Sequence, residues 1–360
     1  MTVEEIAKKI KDAGGNLYLV GGAVRDKIMG RPIKDEDYCV TGITTDEFIK
    51  IFPEVKTQGK SFEVFILDNK EFAMARTEKK NGIGHREFEI KTNKNITIEE
   101  DLSRRDLKVN AIAEEVLTGE VIDPFNGIKS IKEKILRAVT EKFKEDPLRV
   151  YRVARFAAEL EFSVENRTIK MMNSLKNELL TLSKERVFEE LRKALKTSKP
   201  SIFFDVLKEA NVLDVHFKEI YNLIGVLQPE KYHPEGDSYN HTMIALNSSA
   251  KITKDERIRF CALVHDIGKG ITPKSMYPHH YGHDERGIEP LKVLSRRIGI
   301  PEEWKKCGLI AVKEHMKGGM FYEMSIPKQV SFIERISKSR LGLEGLQIVV
   351  YADRARNRRQ

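Results

Sequence analysis

The chain has 360 residues, of which 40% are hydrophobic and 33% are charged. This length favours two or three domains, and the composition excludes a largely disordered protein. No apolar run approaches the roughly 20 residues of a membrane-spanning helix. The formal net charge of +8 permits binding to nucleic acid, although surplus charge also serves solubility.

The N-terminal sequence and the cysteines bear on the compartment. Residues 1–15 form a short amphipathic helical pattern without the apolar core of a signal peptide. Cys39, Cys261 and Cys307 lie far apart, which argues against a thiolate zinc site or a disulfide framework. We therefore expect a cytoplasmic protein with no membrane association, either a monomer or a weak homodimer.

The first third of the chain has the pattern of a small mixed α/β sheet. Strand-like runs occur at 17–20, 37–40, 62–67 and 71–75, with helical periodicity between and after them. Asp68-Asn69 is a turn signal between the last two runs. The polar stretch 77–99 has no clean period and is predicted to be a mobile loop, with a long hairpin connection as the alternative.

The chain becomes helical from about residue 141. Segments 147–161, 165–181 and 184–197 carry apolar residues at helical spacing. The stretch 228–240 is rich in Pro, Gly and Asp and is predicted to be an inter-domain linker. We therefore expect an α+β protein with three domains: a mixed-sheet head at 1–140, an all-helical neck at 141–227 and a helical C-terminal domain at 228–360.

A strand that leads into Gly21-Gly22 and then a helix indicates a phosphate site. Paired glycines let backbone N–H groups approach a phosphate, and the helix N-terminus adds a favourable dipole. Arg25 follows on the first helical turn, where it could reach the same triphosphate. Considered alone, Gly-Gly before a helix is a weak signal that a plain tight turn explains more often than not.

Paired carboxylates follow this motif and indicate a magnesium site. Asp35 and Asp37 are two residues apart at the start of a strand-like run, so their side chains are expected on one face. Two adjacent carboxylates repel each other unless a cation lies between them, and Mg²⁺ is the natural partner. Glu71, at the start of a later strand, is a candidate third carboxylate.

Two further patterns carry charge. Arg149, Arg152 and Arg155 recur every three residues and are predicted to form one cationic stripe on a helix. Histidines concentrate beyond residue 230, namely His233, His241, His265, His279, His280, His283 and His315. The dipeptide His265-Asp266 is poorly explained by core packing, because Asp is rarely buried without a partner.

Together these motifs resemble the class II CCA-adding enzymes and bacterial poly(A) polymerases of the DNA polymerase β nucleotidyltransferase superfamily. The closer resemblance is to bacterial tRNA nucleotidyltransferases that carry an HD domain. The matching segments, in order, are GGAVRD (21–26), DED (35–37), EEDLSRRDLKVNA (99–111), EDPLRVYRVARF (145–156) and LSKERVFEEL (182–191). Lys108 stands where the family is expected to have threonine.

The resemblance implies a polymerase-β-like head and a role for each matching position. Asp35 and Asp37, with Glu71, would be catalytic and hold Mg²⁺. The implied contacts to the incoming CTP or ATP involve Gly22, Arg25, Arg105, Asp106, Asn110, Glu145, Asp146, Arg149, Arg152 and Arg155. Of these, Asp146 and Arg149 would read the base edge, with Glu145 bracing the arginine, and Arg152 and Arg155 would reach phosphates. The partner would be the tRNA 3′ end.

The C-terminal motifs fit the H…HD…D ligand order of HD-domain phosphohydrolases, which implies that His241, His265, Asp266 and Asp353 are ligands. Imidazole and carboxylate together suit Ni²⁺, Mn²⁺ or Co²⁺ better than a structural zinc ion. His280 and His283 could bind a second ion or a substrate phosphate. The resemblance implies hydrolysis of 2′,3′-cyclic or 2′-phosphates.

Several alternatives remain open at this point. A poly(A) polymerase would share the first half of the chain. An enzyme that adds only CC or only A would look almost the same. A non-catalytic RNA-binding protein would not need Asp35, Asp37 and Glu71 together. An enzyme that is active only at the HD site would not need the D-x-D pair.

Overall fold

The computed structural model describes residues 1–33, 35–58, 63–80, 88–231 and 233–355, and excludes the side chains of 78–80 and 88–92. The chain divides into two compact units. The first unit comprises Met1–Arg149 and Phe162–Glu178, and the second comprises Val150–Glu161 and Leu179–Gln360.

The described strands all lie in the first unit. They are β1 (Asn16–Val20), β2 (Asp37–Thr41), β3 (Lys56–Gln58), β4 (Val64–Leu67), β5 (Lys70–Met74), β6 (Arg76–Lys80), β7 (Phe88–Thr92), β8 (Ala113–Glu115), β9 (Val121–Ile122), β10 (Ile135–Leu136) and β11 (Ser163–Val164). The main sheet has the order β3-β4-β5-β2-β1-β8-β9, and only β2 and β5 pair in parallel within it. This arrangement confirms the predicted small mixed sheet.

The helices of the described chain follow in sequence order. They are α1 (Val3–Asp12), α2 (Gly22–Ile28), α3 (Thr45–Ile51), α4 (Ile98–Ser103), α5 (Gly127–Glu133), α6 (Arg149–Leu160), α7 (Asn166–Ser174), α8 (Lys184–Leu195), α9 (Ser201–Glu209), α10 (Leu213–His216), α11 (Lys218–Tyr221), α12 (Ser238–Ile252), α13 (Glu256–Val264), α14 (His283–Arg286), α15 (Ile288–Ile298), α16 (Glu302–Gly319), α17 (Ile326–Ser337) and α18 (Gly342–Asp353). Within the described residues, no helix is both long and apolar enough to cross a membrane.

Local sequence explains where several head elements begin and turn. Helices α1, α3 and α4 each follow a T-x-x-E capping box, in which the threonine hydroxyl and the glutamate carboxylate satisfy the first backbone N–H groups. Asp68 and Asn69 adopt φ values of 49° and 61°, and they join β4 to β5 in a tight hairpin. The predicted turn at these two residues is therefore confirmed.

Alternation along β2 decides which face of the sheet carries the Asp37 side chain. Tyr38 and Val40 pack in one core cluster, while Cys39 packs in another with Leu102. Since alternate residues share a face, Asp37 lies on the same face as Cys39. The fold thereby presents Asp37 toward the segment that contains α4.

The prediction of a mobile loop at 77–99 was wrong for its described parts. Strands β6 and β7 pair antiparallel from Arg76↔Thr92 to Lys80↔Phe88, and α4 begins at Ile98. The sequence FEIKT at 88–92 alternates apolar and polar residues, which is a strand signal that the surrounding charges obscured. Residues 81–87 lie outside the described part.

The second unit is helical, and its core includes a cluster of aromatic rings. Phe203, Phe204 and Phe217 contact one another with centroid distances of 5.2–5.8 Å, and Tyr151 joins them. The predicted helix at 165–181 is shorter in the structure, where α7 ends at Ser174 and a 3₁₀ turn covers Glu178–Thr181.

The segment 228–240 lies inside the second compact unit, and its predicted role as a linker between the neck and the C-terminal domain stays a prediction. Both of its flanks belong to the second unit, and Leu227 forms a β-bridge with Asp237. Gln228 is buried and accepts a hydrogen bond from Lys269 at 2.8 Å. The described part of this segment therefore carries a polar side chain, that of Gln228, into the fold.

Candidate functional site

The Gly21-Gly22 turn connects β1 to α2 in a backbone conformation that requires glycine. Gly21 has φ 73° and ψ −127°, and a Cβ there would lie 2.8 Å from a terminal nitrogen of Arg105. The absence of a side chain at Gly21 thus lets the Arg105 guanidinium lie over the turn. A turn with backbone N–H groups beside a cation can accept phosphate.

A chain of hydrogen bonds links this turn to the R-R-D-x-x-x-N segment. Arg25 is 4% exposed and donates to Asn110 Oδ1 at 2.7 Å and to Asp26 Oδ1 at 2.9 Å. Asn110 in turn donates to Asp106 Oδ1 at 3.3 Å, and the same oxygen accepts the Leu107 N–H. The structure therefore brings together Arg25, Asp106 and Asn110, which the sequence placed in one site.

The three acidic candidates meet at the ends of two adjacent strands. Asp37 and Glu71 are direct register partners in the parallel β2–β5 pair, and both are exposed. Asp35 precedes β2, so only Asp37 of the pair is part of the strand. Burial around its carboxylate, together with the charge of Asp35, raises the pKa of Asp37, while the charge of Arg105 opposes the shift.

These observations fit an Mg²⁺ site formed by oxygen ligands. Adjacent carboxylates repel one another, and they are the donor set that a hard divalent cation neutralises. Among the described residues, however, the groups of three or more ligands that converge within 4.8 Å all lie in the second unit. The head therefore presents Asp37 and Glu71 side by side where the adjacent strands β2 and β5 begin.

Asp101 organises the arginines of the head and was not assigned from the sequence. Its side chain is 1% exposed and contacts Arg104 at 2.7 Å, Arg105 at 3.4 Å and the Arg76 N–H at 3.3 Å. Burial alone would raise the pKa of Asp101, but the charges of Arg104 and Arg105 outweigh burial and lower it. Its position in EEDLSRRD, four residues before Arg105, was the available signal.

Arg149 is held by backbone carbonyl groups at the start of α6. It is 7% exposed and donates to Lys142 O and Arg104 O, each at 2.6 Å. Asp146 accepts the Leu148 N–H at 2.9 Å and thereby shapes the entry into the helix. The base-reading candidates are thus fixed in place by local contacts within the first unit.

The predicted cationic stripe on α6 is not an exposed face. Arg155 is 7% exposed and forms ion pairs with Glu190 at 2.7 Å and Glu159 at 2.6 Å. Its guanidinium also lies 3.7 Å from the Phe156 ring centroid. Arg152 is half-buried. Helical spacing aligned the arginines, but the sequence could not show that two glutamates neutralise Arg155.

The second unit contains a compact cluster of imidazole and carboxylate groups. His241, His265, Asp266 and Asp353 each offer a ligand atom, and these atoms all lie within 4.8 Å of one another. His241 Nε2 lies 2.9 Å from Asp353 Oδ1, and His265 Nε2 lies 3.3 Å from the same oxygen. The structure therefore brings together the four residues of the predicted H…HD…D set.

A second group shares Asp266 with the first. Asp266 Oδ1 lies 3.1 Å from His283 Nε2 and 3.4 Å from His315 Nε2, and the two nitrogens are 3.1 Å apart. Lys269 Nζ lies 2.5 Å from the other Asp266 oxygen. His315 on α16 was noted in the sequence as part of a histidine-rich pattern but was not proposed as a ligand.

Among the described residues, His280 is not one of the converging ligands, and its accessory role beside His283 stays a prediction. Its Nε2 lies 2.9 Å from Leu227 O, while its own carbonyl accepts from His283 Nδ1 at 2.8 Å. His280 thus supports His283 through its backbone. The close packing around Gly268, where a Cβ would overlap the His283 carbonyl oxygen, keeps α14 against the His-Asp turn.

Electrostatics in this cluster favour bound positive charge. Burial would raise the pKa of Asp266, but Lys269 and His265 hold it well below its usual value. Burial would likewise lower the pKa of His265, yet the neighbouring carboxylates of Asp266 and Asp353 raise it to about 10. A buried set of two carboxylates and several imidazoles fits a borderline divalent metal ion.

Three protein-family models match successive parts of the chain. They are the poly A polymerase head domain at residues 17–137, the "Probable RNA and SrmB- binding site of polymerase A" at 161–223, and the HD domain at 238–354.

Curated relatives and solved structures extend the match over most of the chain. A "Multifunctional CCA protein" from Shewanella frigidimarina is 42% identical over 327 residues, which cover 89% of this chain and 78% of the relative. A protein of the same name from Mannheimia succiniciproducens is 40% identical over 351 residues, covering 93% and 83%.

The fold resembles solved structures of CCA-adding enzymes. An apo form has a TM-score of 0.67 at 19% identity and covers 98% of this chain and 78% of its own. The Thermotoga maritima CCA-adding enzyme complexed with tRNA has a TM-score of 0.66 at 19% identity, with coverage of 98% and 77%. Since the chain is 40–42% identical to the curated relatives over most of both chains, it belongs to the family of multifunctional CCA proteins.

Proposed function

We propose that this protein adds CCA to the 3′ end of tRNA from CTP and ATP, without a template. The observation that carries the proposal is the head site, where Asp37 and Glu71 are register partners and Arg105 lies over the Gly21 turn. Curated relatives named for CCA support the same reaction.

In this proposal the strand-edge carboxylates hold Mg²⁺. Asp35 and Asp37 are the ligands, and Glu71 supplies a third carboxylate from the neighbouring strand. Bound Mg²⁺ would neutralise charge at the α-phosphate and the leaving pyrophosphate and lower the pKa of the tRNA 3′-hydroxyl. Arg25 and Arg105, with the Gly22 backbone, orient the triphosphate, so that positioning and electrostatics supply most of the rate.

Base selection is assigned to the entry of α6. Asp146 and Arg149 can pair with the Watson–Crick edge of C or A, with Glu145 beside them. Two backbone carbonyls accept hydrogen bonds from Arg149 at 2.6 Å, so its planar guanidinium is held in one orientation. We assign phosphate contact to Arg152, and to Arg155 the task of holding α6 against α8 through Glu190.

The proposed domain division is a head at 1–140, a neck at 141–227 and an HD domain at 228–360. We further propose a cytoplasmic location and a monomer or weak homodimer. A lack of activity toward tRNA in the isolated protein would count against the assignment of the substrate, whatever the oligomeric state.

The decisive experiment uses a tRNA that ends at the discriminator base, incubated with CTP, ATP or both. Sequencing of the products should show C and CC with CTP alone and CCA with both nucleotides. Products that stop at CC with both nucleotides, or only A added to a CC end, would identify a partial enzyme. A long A tail would identify a poly(A) polymerase.

A second activity is supported by the cluster in the second unit. We propose that His241, His265, Asp266 and Asp353 hold Ni²⁺, Mn²⁺ or Co²⁺, and that the site hydrolyses small phosphoesters such as 2′,3′-cyclic or 2′-phosphates. His283 lies beside Asp266 and is placed to hold a second ion or the substrate phosphate. A bound ion would generate hydroxide and polarise the phosphoryl group.

The hydrolytic proposal is tested by assaying metal-depleted protein after each cation is added back. We expect release of phosphate or opening of the cyclic ester with at least one of Ni²⁺, Mn²⁺ or Co²⁺, and its loss on chelation. Absence of hydrolysis with all of these ions and Mg²⁺ would remove the catalytic claim.

A further inference from the structure

The histidines of the metal cluster differ in what their second ring nitrogen contacts. For His265, His283 and His315, Nδ1 lies 2.8–3.0 Å from the backbone carbonyl three residues earlier. Because a carbonyl oxygen only accepts, Nδ1 carries the proton in each of these contacts. In all three rings this leaves Nε2 as the nitrogen that faces the cluster.

His241 is the exception among these four rings. Its backbone N–H donates to Asp237 O, as expected within α12, but its Nδ1 lies 2.7 Å from Oε1 of Glu235. Its Nε2 lies 2.9 Å from Asp353 Oδ1, on the opposite edge of the ring. His241 is therefore clamped between a cluster carboxylate and a second carboxylate outside the cluster.

Glu235 is itself fixed in position. Its side chain is 3% exposed, and the same Oε1 lies 2.9 Å from Nδ1 of His233. The rings of His233 and His241 meet edge to face, with centroids 4.8 Å apart. A carboxylate that is buried and contacted by two imidazoles cannot swing away from His241 without losing both hydrogen bonds.

We propose that Glu235 is a positioning residue for the metal site. Its carboxylate accepts a hydrogen bond from Nδ1–H of His241, so Nε2 of that ring is the nitrogen that would bind the ion, and its negative charge increases the basicity of the imidazole. Metal-bound histidines commonly donate their other ring N–H to a carboxylate or a carbonyl, which fixes the tautomer and the ring orientation. His233 holds the carboxylate in place. This inference rests on the proposed metal site in the second unit.

The arrangement makes the two ligand groups unequal. His241 belongs to the group with His265, Asp266 and Asp353, whereas His283 and His315 form the other group with the shared Asp266. Glu235 contacts His241 and not the second group's histidines, whose Nδ1 atoms bind carbonyls. A change at Glu235 should therefore weaken ion binding at the His241 group and leave the His283–His315 group less affected.

The test is Co²⁺ binding to the metal-depleted full-length protein. Calorimetry and the visible absorption of the bound ion measure the binding. Glu235→Ala should raise the dissociation constant of the tighter Co²⁺ by about 10- to 100-fold. Glu235→Gln keeps an acceptor oxygen without the charge and should lie between the alanine variant and the parent. Glu230→Ala removes an equal charge from an exposed position in the same segment and should leave the affinity unchanged.

The outcomes separate this inference from the proposal on which it depends. If the parent protein binds no Co²⁺, the metal site itself is overturned, and the role of Glu235 with it. If the parent binds Co²⁺ and Glu235→Ala binds it equally well, only the positioning role is overturned. Should Glu235→Ala fail to fold, Glu235→Gln decides, because unchanged Co²⁺ affinity and absorption in that variant would remove the role of the charge.

Discussion

The head and the second unit present their candidate ligands in opposite ways. In the head, Asp35, Asp37 and Glu71 are exposed close to the starts of β2 and β5. In the second unit, His265 and Asp266 are 0% and 1% exposed, and four ligand atoms already converge within 4.8 Å. Folding therefore removes the ligands of the second unit from water before an ion binds, and the fold bears that desolvation cost. The ligands of the head remain open to solvent.

The difference teaches what each site can do. An open edge with a flexible set of oxygen ligands suits Mg²⁺ that arrives with nucleotide phosphates. In the buried cluster, a carboxylate or a backbone carbonyl contacts Nδ1 of each ring and fixes its orientation. Such a site suits an ion that is bound by the protein alone. The head should thus be sensitive to the loss of single charges with little effect on folding, and the second unit to the loss of buried partners.

The largest expected effect is in the head. Asp37→Asn should reduce nucleotide addition by about 10³-fold or more, since a metal ion supplies several kcal/mol of transition-state stabilisation. Because Asp37 is exposed, thermal stability should change little. The measurement is single-nucleotide extension of tRNA at saturating CTP. Asp12→Asn, at an exposed position on α1, is the control, and near-normal extension by Asp37→Asn would contradict the Mg²⁺ assignment.

The second prediction concerns loss of the metal ligands in the second unit, with the head left unchanged. The double variant His265→Ala and Asp266→Ala should lower phosphoester hydrolysis by about 10²-fold or more, because two ligands are lost. CCA addition should remain close to that of the parent protein. Asp353→Asn, whose side chain is 23% exposed, repeats the test with less disturbance of the core.

The control for these variants is His279→Ala. His279 is exposed and is not among the converging ligands of the described residues. It should retain both activities. Loss of CCA addition in the double variant, with the head still folded by circular dichroism and tRNA binding, would show that the two sites are not independent.

A third, smaller effect concerns base choice in the head. Arg149→Lys keeps the charge but not the bidentate geometry, so discrimination among CTP, ATP, UTP and GTP should fall by about 1–3 kcal/mol per lost pairing. Arg152→Lys on the same helix is the matched control and should change all four nucleotides equally. A uniform loss of kcat/KM in Arg149→Lys would assign that residue to phosphate binding instead.

The sequence predicted the motif residues of the sites but not the residues that support them. Motif order identified His241, His265, Asp266 and Asp353, although His241 and Asp353 are 112 residues apart. It did not identify Glu235, which lies in a Pro- and Gly-rich stretch that was taken for a linker. Composition describes such a stretch as a turn, but only tertiary structure shows that its carboxylate meets a distant ring.

The head shows the same limit in its packing. Periodicity placed Glu71 on a later strand, and the β2–β5 register confirmed its place beside Asp37. The three-residue spacing of the arginines was also real, but burial and ion pairing of Arg155 with Glu190 depend on α8, 35 residues away. Local pattern fixes the face of a helix, whereas the partner of that face is a long-range property.

The smallest expected effect is the number of protons released when Ni²⁺ binds to the cluster of the second unit. At pH 8, His265 is protonated in the metal-free protein, because the carboxylates of Asp266 and Asp353 raise its pKa to about 10 against the effect of burial. Ni²⁺ must displace that proton from Nε2, so binding should release about one proton per chain. Calorimetric titrations in buffers of different ionisation enthalpy measure this number.

The same shift sets the direction of the stability change with pH. Since the folded-state pKa of His265 lies above its unfolded value of about 6.5, its contribution to stability is complete below that pH and is lost as the pH rises toward about 10. The melting temperature of the metal-free protein should therefore fall across this range, and bound Ni²⁺ should reduce the fall. His279→Ala should keep both effects and the His265→Ala, Asp266→Ala double variant should lose them. Equal proton release in the double variant would place the titrating group elsewhere in the chain.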